Sequence, residues 1–597
     1  MTDTIDKAAL KRKYREERDK RLRPDGIDQY QRLEHQLSHF LDDPYLPVQA
    51  RPARRDHVTF AFIGGGFAGL VTGARLVEQG ITDVRIIDKA GDFGGTWYWN
   101  RYPGAQCDTA SMIYMPLLEE TGHMPSEKYA HAPEILTHCQ RIARQYGLYD
   151  NALLHTGVTA LEWDEAACVW RIETDRGDAF SAQYVGLGTG PLHRPKLPGV
   201  PGIEDFRGHS FHTSRWDYAY TGGDPSGAPL DRLGDKRVAL IGTGATAVQC
   251  VPHLARACER FYLCQRTPSS VDVRANHAID PAWFASVATP GWQRRWMDNF
   301  AANQTGRVVG EDLVQDGWTD IPRRLHAKLA GYPPESLADP ATWAAAWEDA
   351  DFEKMEAIRA RVDAEVANPD TAQKLKAWYQ QLCKRPCFHD EYLAAFNAPA
   401  TVLLDTDGKG VERITPDGVV VAGQAYPVDC IIYATGFEVG TERVARTGFE
   451  VTGREGITLT QYWADGMRSL HGLSVHRFPN AFFVQLSQGG NLISNVPHNI
   501  VESAQTIALL VRQAQSRGSR VVEASQLAED DWVAQISAGA GLSLPNADCT
   551  PGYYNYEGQP VPKEAHSYGG YPAGAPAFFD FIRQWRESGE FSGMEFS

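Results

Sequence analysis

Twice in this chain a run of strand-forming residues ends in a short glycine loop and restarts as a helix. No other feature constrains the fold as much. In HVTFAFIGGGFAGLVTGARLVEQG, which begins at His57, a buried strand runs into Gly64-x-Gly66-x-x-Gly69 and a helix follows. DVRIIDKA then supplies the next strand. The pattern returns in KRVALIGTGATAVQCVPHLARACERFYLCQRTP, where the loop is Gly242-x-Gly244-x-x-Ala247. Each stretch reads as a βαβ unit. In such a unit the first glycine permits a tight turn, the second lets backbone approach a pyrophosphate, and the third position allows close helix–strand packing. The helix N-terminus adds free N–H groups and a partial positive charge. The expected fold is therefore α/β, with two Rossmann-like dinucleotide-binding domains.

The two loops differ in what stands 19 residues beyond them. Asp88 follows Gly69, and Arg266 follows Ala247. A carboxylate at the end of the second strand accepts hydrogen bonds from a ribose diol and repels a 2′-phosphate. The first unit thus suits the AMP half of FAD, or NAD. A guanidinium there pairs with a phosphate, which makes NADPH the expected ligand of the second unit, with Thr267 adding a hydroxyl donor. A protein holding both cofactors would move hydride from NADPH to flavin.

The rest of the chain divides around these units. Met1 to about Arg55 carries 13 Lys/Arg and 10 Asp/Glu, and KAALKRKYREERDKRL reads as a solvated helix lying along the surface as an arm. We expect the first part of the FAD domain over 56–195 and the NADPH domain over 196–400. A helical insertion is expected at about 281–384, where Met355, Ile358, Val362 and Val366 keep helical spacing. The second part of the FAD domain is expected over 401–597, with an irregular tail from Ala538 that is rich in Gly, Pro and Tyr.

Composition excludes some partners. A formal charge of −16 and a pI near 5.6 disfavour nucleic acid. No apolar run approaches a membrane span, and the charged N-terminus lacks the apolar stretch of a secretory signal. The ten cysteines are scattered; the closest pair, Cys383 and Cys387, has no partner set at zinc spacing, so no metal site is expected. Unpaired thiols fit a cytoplasmic protein, expected to be a monomer or a small homo-oligomer. Cys107 stands alone after the first unit, which argues against a disulfide reductase.

Two longer strings narrow the chemistry. GGTWYWNRYPGAQCD fits G-x-W-x-x-x-x-Y-P-G-x-x-x-D through Gly95, Trp97, Tyr102, Pro103, Gly104 and Asp108. FRGHSFHTSRWD fits F-x-G-x-x-x-H-x-x-x-W-D through Phe206, Gly208, His212, Trp216 and Asp217. From about His57 to the C-terminal region the chain resembles the Baeyer–Villiger monooxygenases, class B flavoproteins that turn ketones into esters or lactones. The resemblance implies an NADPH-dependent enzyme that inserts one atom of dioxygen beside a ketone carbonyl, through a flavin peroxide and a Criegee intermediate.

It also implies residue roles. LCKRPCFHDEY matches the segment holding the active-site arginine, here Arg385, with Lys384 beside it near the NADPH 2′-phosphate. A guanidinium there would stabilise the anionic oxidant and the oxyanion of the adduct. Asp108 matches the carboxylate that holds the arginine, and an opposite charge should keep it ionised. Thr96, Trp97, Asp108, Tyr114 and Val158 match FAD-contacting positions. Gln106 and Cys107 match the stretch facing NADPH. The string from Gly242 through Thr243, Gly244, Ala245, Thr246 and Ala247 to Gln249 matches the pyrophosphate contact. Ser487 to Val496 lies where relatives line the flavin and substrate cavity. IIYATGF, ending at Phe437, resembles the second crossing into the FAD domain. Tyr553 stands where many relatives place a tryptophan over NADPH. His212 is expected to serve structure at the domain linker and not acid–base chemistry. The long N-terminal arm and the strings QRTPSSVDVR and CTPGYYN resemble the subgroup acting on large cyclic ketones, such as macrocyclic, polycyclic or steroid substrates. Two alternatives stay open: an N- or S-oxidising flavin monooxygenase, and a non-catalytic flavin-binding sensor.

Overall fold

The strand–loop–helix units nucleate two separate sheets. The computed structural model describes residues 5–305, 307, 309–439, 443–539, 548–563 and 567–597. In chain order the strands that frame the site are β1 (His57–Ile63), β2 (Val84–Ile87), β3 (Val158–Asp164), β4 (Val169–Thr174) and β5 (Ala179–Leu187). There follow β6 (His209–His212), β7 (Arg237–Ile241), β8 (Arg260–Gln265), β9 (Thr401–Asp405) and β10 (Cys430–Tyr433). The last two are β11 (Val451–Thr452) and β12 (Ala481–Phe483).

The first sheet has the order β11-β3-β4-β5-β1-β2, with β12 pairing with β5 as a seventh strand. Its parallel core is β5-β1-β2, while β3, β4 and β5 form an antiparallel meander. The second sheet, β9-β8-β7-β10-β6, is parallel throughout. Near-continuous burial of β7 and β10 is what a parallel strand covered on both faces requires. Both glycine loops sit at the C-terminal ends of their first strands, so the two cradles open at the carboxyl edges of the sheets.

The boundary expected at residue 400 falls later. Thr401–Asp405 and Cys430–Tyr433 both pair inside the second sheet, so the chain returns to the first domain only after Tyr433. The apolar runs TVLLD and CIIY look alike whichever sheet receives them, and only pairing decides. Between 281 and 375 the regular elements of the described residues are all helices, with Pro340–Glu365 the longest.

Of the tail expected to be irregular from Ala538, residues 540–547 and 564–566 lie outside the described residues, and the departure is confined to its last part. Gly574–Ser588 is a helix that buries Phe578, Phe579 and Ile582. Its aromatics hold a regular apolar face amid Gly- and Pro-rich flanks. The N-terminal arm is also less solvated than its charge suggests. Helix Lys7–Asp19 buries Tyr14 against the Pro340–Glu365 helix, where Lys11 pairs with Glu348 at 2.6 Å. Beyond it, Tyr30–Gln31 pairs antiparallel with Leu197–Pro198, and Phe40 packs edge-on against Tyr433.

The cysteines are not all unpaired. Cys383 and Cys549 form a disulfide across 166 residues of sequence. That separation hides the pair from any reading of spacing. The other eight cysteines are free. Among the described residues no helix is long and apolar enough to cross a membrane, and no cluster of potential metal ligands occurs.

Candidate active site

A continuous cavity of about 1310 Å³ runs from the first glycine loop to the second and on to the N-terminal arm. The first loop is shaped by close approach. Gly64 has φ +118° and its carbonyl lies so near Gly69 that an added Cβ would sit 2.1 Å from it. Only glycine fits there. The carboxylate of Asp88 accepts the Ala90 N–H at 2.7 Å and the Gly65 N–H. Burial pushes its pKa up, against those two bonds. Thr96, Trp97, Tyr114 and Val158 line the same lobe, where the Trp97 indole donates to the Tyr114 hydroxyl at 3.1 Å.

The second loop is looser. Gly242 has φ +115° and faces the Ala434 carbonyl, whereas a Cβ at Gly244 would meet open space. Ala247 fills the third position, fully buried. Thr243, Ala245, Thr246 and Gln249 line the cavity beside it. The open face above Gly244 at a helix N-terminus suits a pyrophosphate.

At the end of β8 the Arg266 guanidinium donates to Gln29 Oε1 at 2.5 Å and pairs with Glu557 at 3.2 Å. Thr267 Oγ1 accepts from Arg21 at 3.1 Å. Lys384 faces the same space and, among the described residues, makes no hydrogen bond or ion pair; burial, then Arg266, lowers its pKa to about 8. Lys196 lies 3.7 Å over the Tyr30 ring and 3.9 Å from Glu557. The cradle is therefore rich in cations, as a 2′-phosphate would require.

Asp108 and Arg385 stand together between the two cradles. Asp108 is 2% exposed and accepts from Arg385 Nη1 at 2.6 Å. Its other oxygen pairs with Arg274. Burial would raise the carboxyl pKa, but the two guanidinium groups more than offset it and hold Asp108 below the usual carboxylate range. Burial acts on Arg385 in the opposite sense to Asp108, and Asp108 prevails, keeping Arg385 protonated. The Arg385 side chain is 34% exposed and faces the cavity. Trp318 lies beneath it, ring centre 5.9 Å from the guanidinium carbon, and donates to the Asp108 carbonyl at 2.9 Å. Tyr553 lines the same cavity as Arg385, and burial raises the pKa of its hydroxyl, so the phenol is neutral there.

Gln106 links the cradles. Its carbonyl accepts from Gln249 at 2.8 Å, its side-chain oxygen accepts from Arg274, and its amide donates to the Tyr129 carbonyl at 2.6 Å. Cys107 is buried, and burial pushes its thiol up to about 12, so it is no redox nucleophile at neutral pH. His212 ends β6, opposite Tyr433 of β10. Its Nδ1 bonds the Ser214 hydroxyl at 2.9 Å, and burial lowers its pKa to about 3. It is neutral at physiological pH, as a linker residue and not an acid would be.

Arg274, Trp318, Gln29, Tyr30, Lys196 and Glu557 escape a reading of the sequence. Arg274 lies in QRTPSSVDVR, but nothing local says that it turns back toward Asp108. Gln29 and Tyr30 sit in the charged arm, and Glu557 in the tail, where composition gives no hint of a cofactor cradle.

The chain has close relatives along its whole length. A family model for NAD(P)-binding Rossmann-like domains matches residues 63–124. Neopentalenolactone D synthase of Streptomyces avermitilis is 51% identical over 600 residues, 99% of each chain. A Baeyer–Villiger monooxygenase of Streptomyces coelicolor is 47% identical over 587 residues, 97% of this chain and 95% of that one. Among solved structures, the polycyclic ketone monooxygenase of the thermophilic fungus Thermothelomyces thermophila superposes with a TM-score of 0.92 at 37% identity, covering 99% of both chains. With paired glycine loops, the Asp108–Arg385 pair between them and relatives this similar end to end, the chain belongs to the Baeyer–Villiger monooxygenases.

Proposed function

We propose that this enzyme uses FAD and NADPH to insert one oxygen atom of dioxygen beside the carbonyl of a bulky cyclic ketone, giving a lactone or ester. The observation that carries this is the ion pair between buried Asp108 and the partly exposed Arg385, facing the cavity between the two cradles. When bound, FAD and NADPH would supply the redox chemistry that activates dioxygen.

The chain's own residues then do three things. Asp88 and the first loop hold the ribose and pyrophosphate of FAD, with Thr96, Trp97, Tyr114 and Val158 against the rest of the cofactor. Arg266, Thr267 and Lys384 take the 2′-phosphate of NADPH, and the stretch from Gly242 to Gln249 takes its pyrophosphate. Arg385 stabilises negative charge as it develops on the carbonyl oxygen. A guanidinium held by Asp108 and set against Trp318 cannot lose its proton and needs little reorganisation when that charge appears. Gln106 and Cys107 face the nicotinamide side, and Tyr553 covers it.

The substrate class rests on likeness to neopentalenolactone D synthase and to a polycyclic ketone monooxygenase. We place the protein in the cytoplasm, where NADPH is supplied. Purified flavoprotein should be given NADPH, dioxygen and a panel of ketones from cyclohexanone through cyclopentadecanone to progesterone and, in parallel, a tertiary amine, with products identified by gas chromatography–mass spectrometry. Lactones from the larger ketones are expected. Efficient turnover confined to cyclohexanone would refute the bulky substrate, and oxidised amines without any ester would refute the reaction.

A further inference from the structure

Glu557 sits where the second cradle would receive a phosphate. Its Oε2 lies 3.2 Å from Arg266 Nη2, and its Oε1 accepts the Tyr30 hydroxyl at 2.8 Å with Lys196 Nζ 3.9 Å away. The residue is 4% exposed, although the loop that carries it belongs to neither Rossmann sheet. That loop starts beside Cys549, which is bonded to Cys383 next to Lys384. It ends on the N-terminal arm, where Gln559 donates to the Arg23 carbonyl at 2.7 Å. Tyr556 and Glu557 both have positive φ, +51° and +56°, a conformation that side chains rarely adopt. Contacts made by the side chains must hold it.

A carboxylate and a phosphate cannot share the same Arg266 face without bringing like charges together. A phosphate monoester carries nearly two charges at neutral pH and three acceptor oxygens, more than one carboxylate offers to Arg266, Lys196 and Lys384. NADH has no group there to make the exchange.

Resting on NADPH as the second cofactor, we propose that Glu557 is an internal competitor of the 2′-phosphate. Binding of NADPH displaces it from Arg266 and frees the loop over residues 551–558, whereas NADH leaves the pair in place. Cofactor choice is then set twice, once by Arg266 and once by the anion that must be expelled from it.

The test uses the FAD-loaded protein, with NADP⁺ and NAD⁺ titrated by calorimetry and backbone hydrogen exchange followed over 551–558. Glu557→Gln should tighten NADP⁺ by about tenfold, the scale of one charge-assisted bond, and move NAD⁺ by less than about twofold. In the native protein NADP⁺ should speed exchange of the loop and NAD⁺ should not; in E557Q exchange should already be fast. Tyr30→Phe, which removes one hold on the carboxylate, should shift NADP⁺ the same way by a smaller factor. Weaker NADP⁺ binding in E557Q, or equal changes for both nucleotides, would overturn the proposal, since Glu557 would then be positioning Arg266. Equal affinity of the native protein for NADP⁺ and NAD⁺ would instead overturn the NADPH assignment.

Discussion

The two dinucleotide units share one plan and are completed in different ways. In the first, the group at the end of the second strand is satisfied locally: Asp88 takes the N–H groups of Gly65 and Ala90. In the second, the corresponding Arg266 finds its partners 237 and 291 residues away, in Gln29 and Glu557. The first site is a self-contained supersecondary motif. The second is finished by both ends of the chain. The loops differ in the same sense. The first is packed so tightly that Gly69 tolerates no Cβ, while the second accepts Ala247 and leaves open space above Gly244. A cofactor that stays bound suits the closed local site, and one that comes and goes suits the site made of separable parts.

The largest effect should come where the units meet. Arg385→Ala should lower ester formation by about 10³-fold, the scale of removing a preorganised charge from an oxyanion, with FAD content unchanged. Product yield and the flavin absorbance of the purified variant check this together, and near-native oxygenation would remove Arg385 from the chemistry.

The loops come next. Gly69→Ala should weaken FAD binding by about 100-fold, because a Cβ there overlaps the Gly64 carbonyl and the strand–helix junction must shift. Ala247→Gly should change NADP⁺ binding by no more than about fivefold, the scale of a helical Ala-to-Gly exchange. Flavin release on dilution and NADP⁺ titration measure the two; similar losses in both would mean that the two loops are equally constrained.

Arg266→Ala should reduce the preference for NADPH over NADH in kcat/KM by about 30-fold, within the range of one charged hydrogen-bonded contact. An unchanged ratio would mean that the 2′-phosphate is read elsewhere.

The smallest effect is one of pH. Burial and Arg266 depress Lys384, so it holds its proton below about 8 and loses it above. Its attraction for the phosphate is therefore present at pH 7 and fades as pH rises through about 8. The value of kcat/KM for NADPH should fall about threefold between pH 7.5 and 9, while that for NADH stays flat. Lys384→Met should flatten the NADPH profile. Parallel profiles for both cofactors in the native protein would assign the titration to another group.

Much of the site can be found in the amino-acid order because its determinants are close neighbours. A glycine at each turn, an acid or a base 19 residues on, and strings such as GGTWYWNRYPGAQCD are local patterns. They encode backbone torsions and hydrogen bonds spanning one βαβ unit, so they survive being read in one dimension. Asp108 and Arg385 were legible as residues, each within its own string. Their contact across 277 positions was legible only through resemblance.

What the tertiary structure alone decided was of the other kind. It placed β9 and β10 in the second sheet, although TVLLD and CIIY fit either. It joined Cys383 to Cys549, turned Arg274 onto Asp108, and brought the charged arm and the C-terminal loop to Arg266. The physical reason is common to all of these. A salt bridge, a disulfide or a strand pairing between distant segments depends on where packing carries each segment, and the residues around each partner hold no record of the other. The order of the amino acids determined two nucleotide cradles and the charge each one presents; the folded chain determined which distant groups close the second.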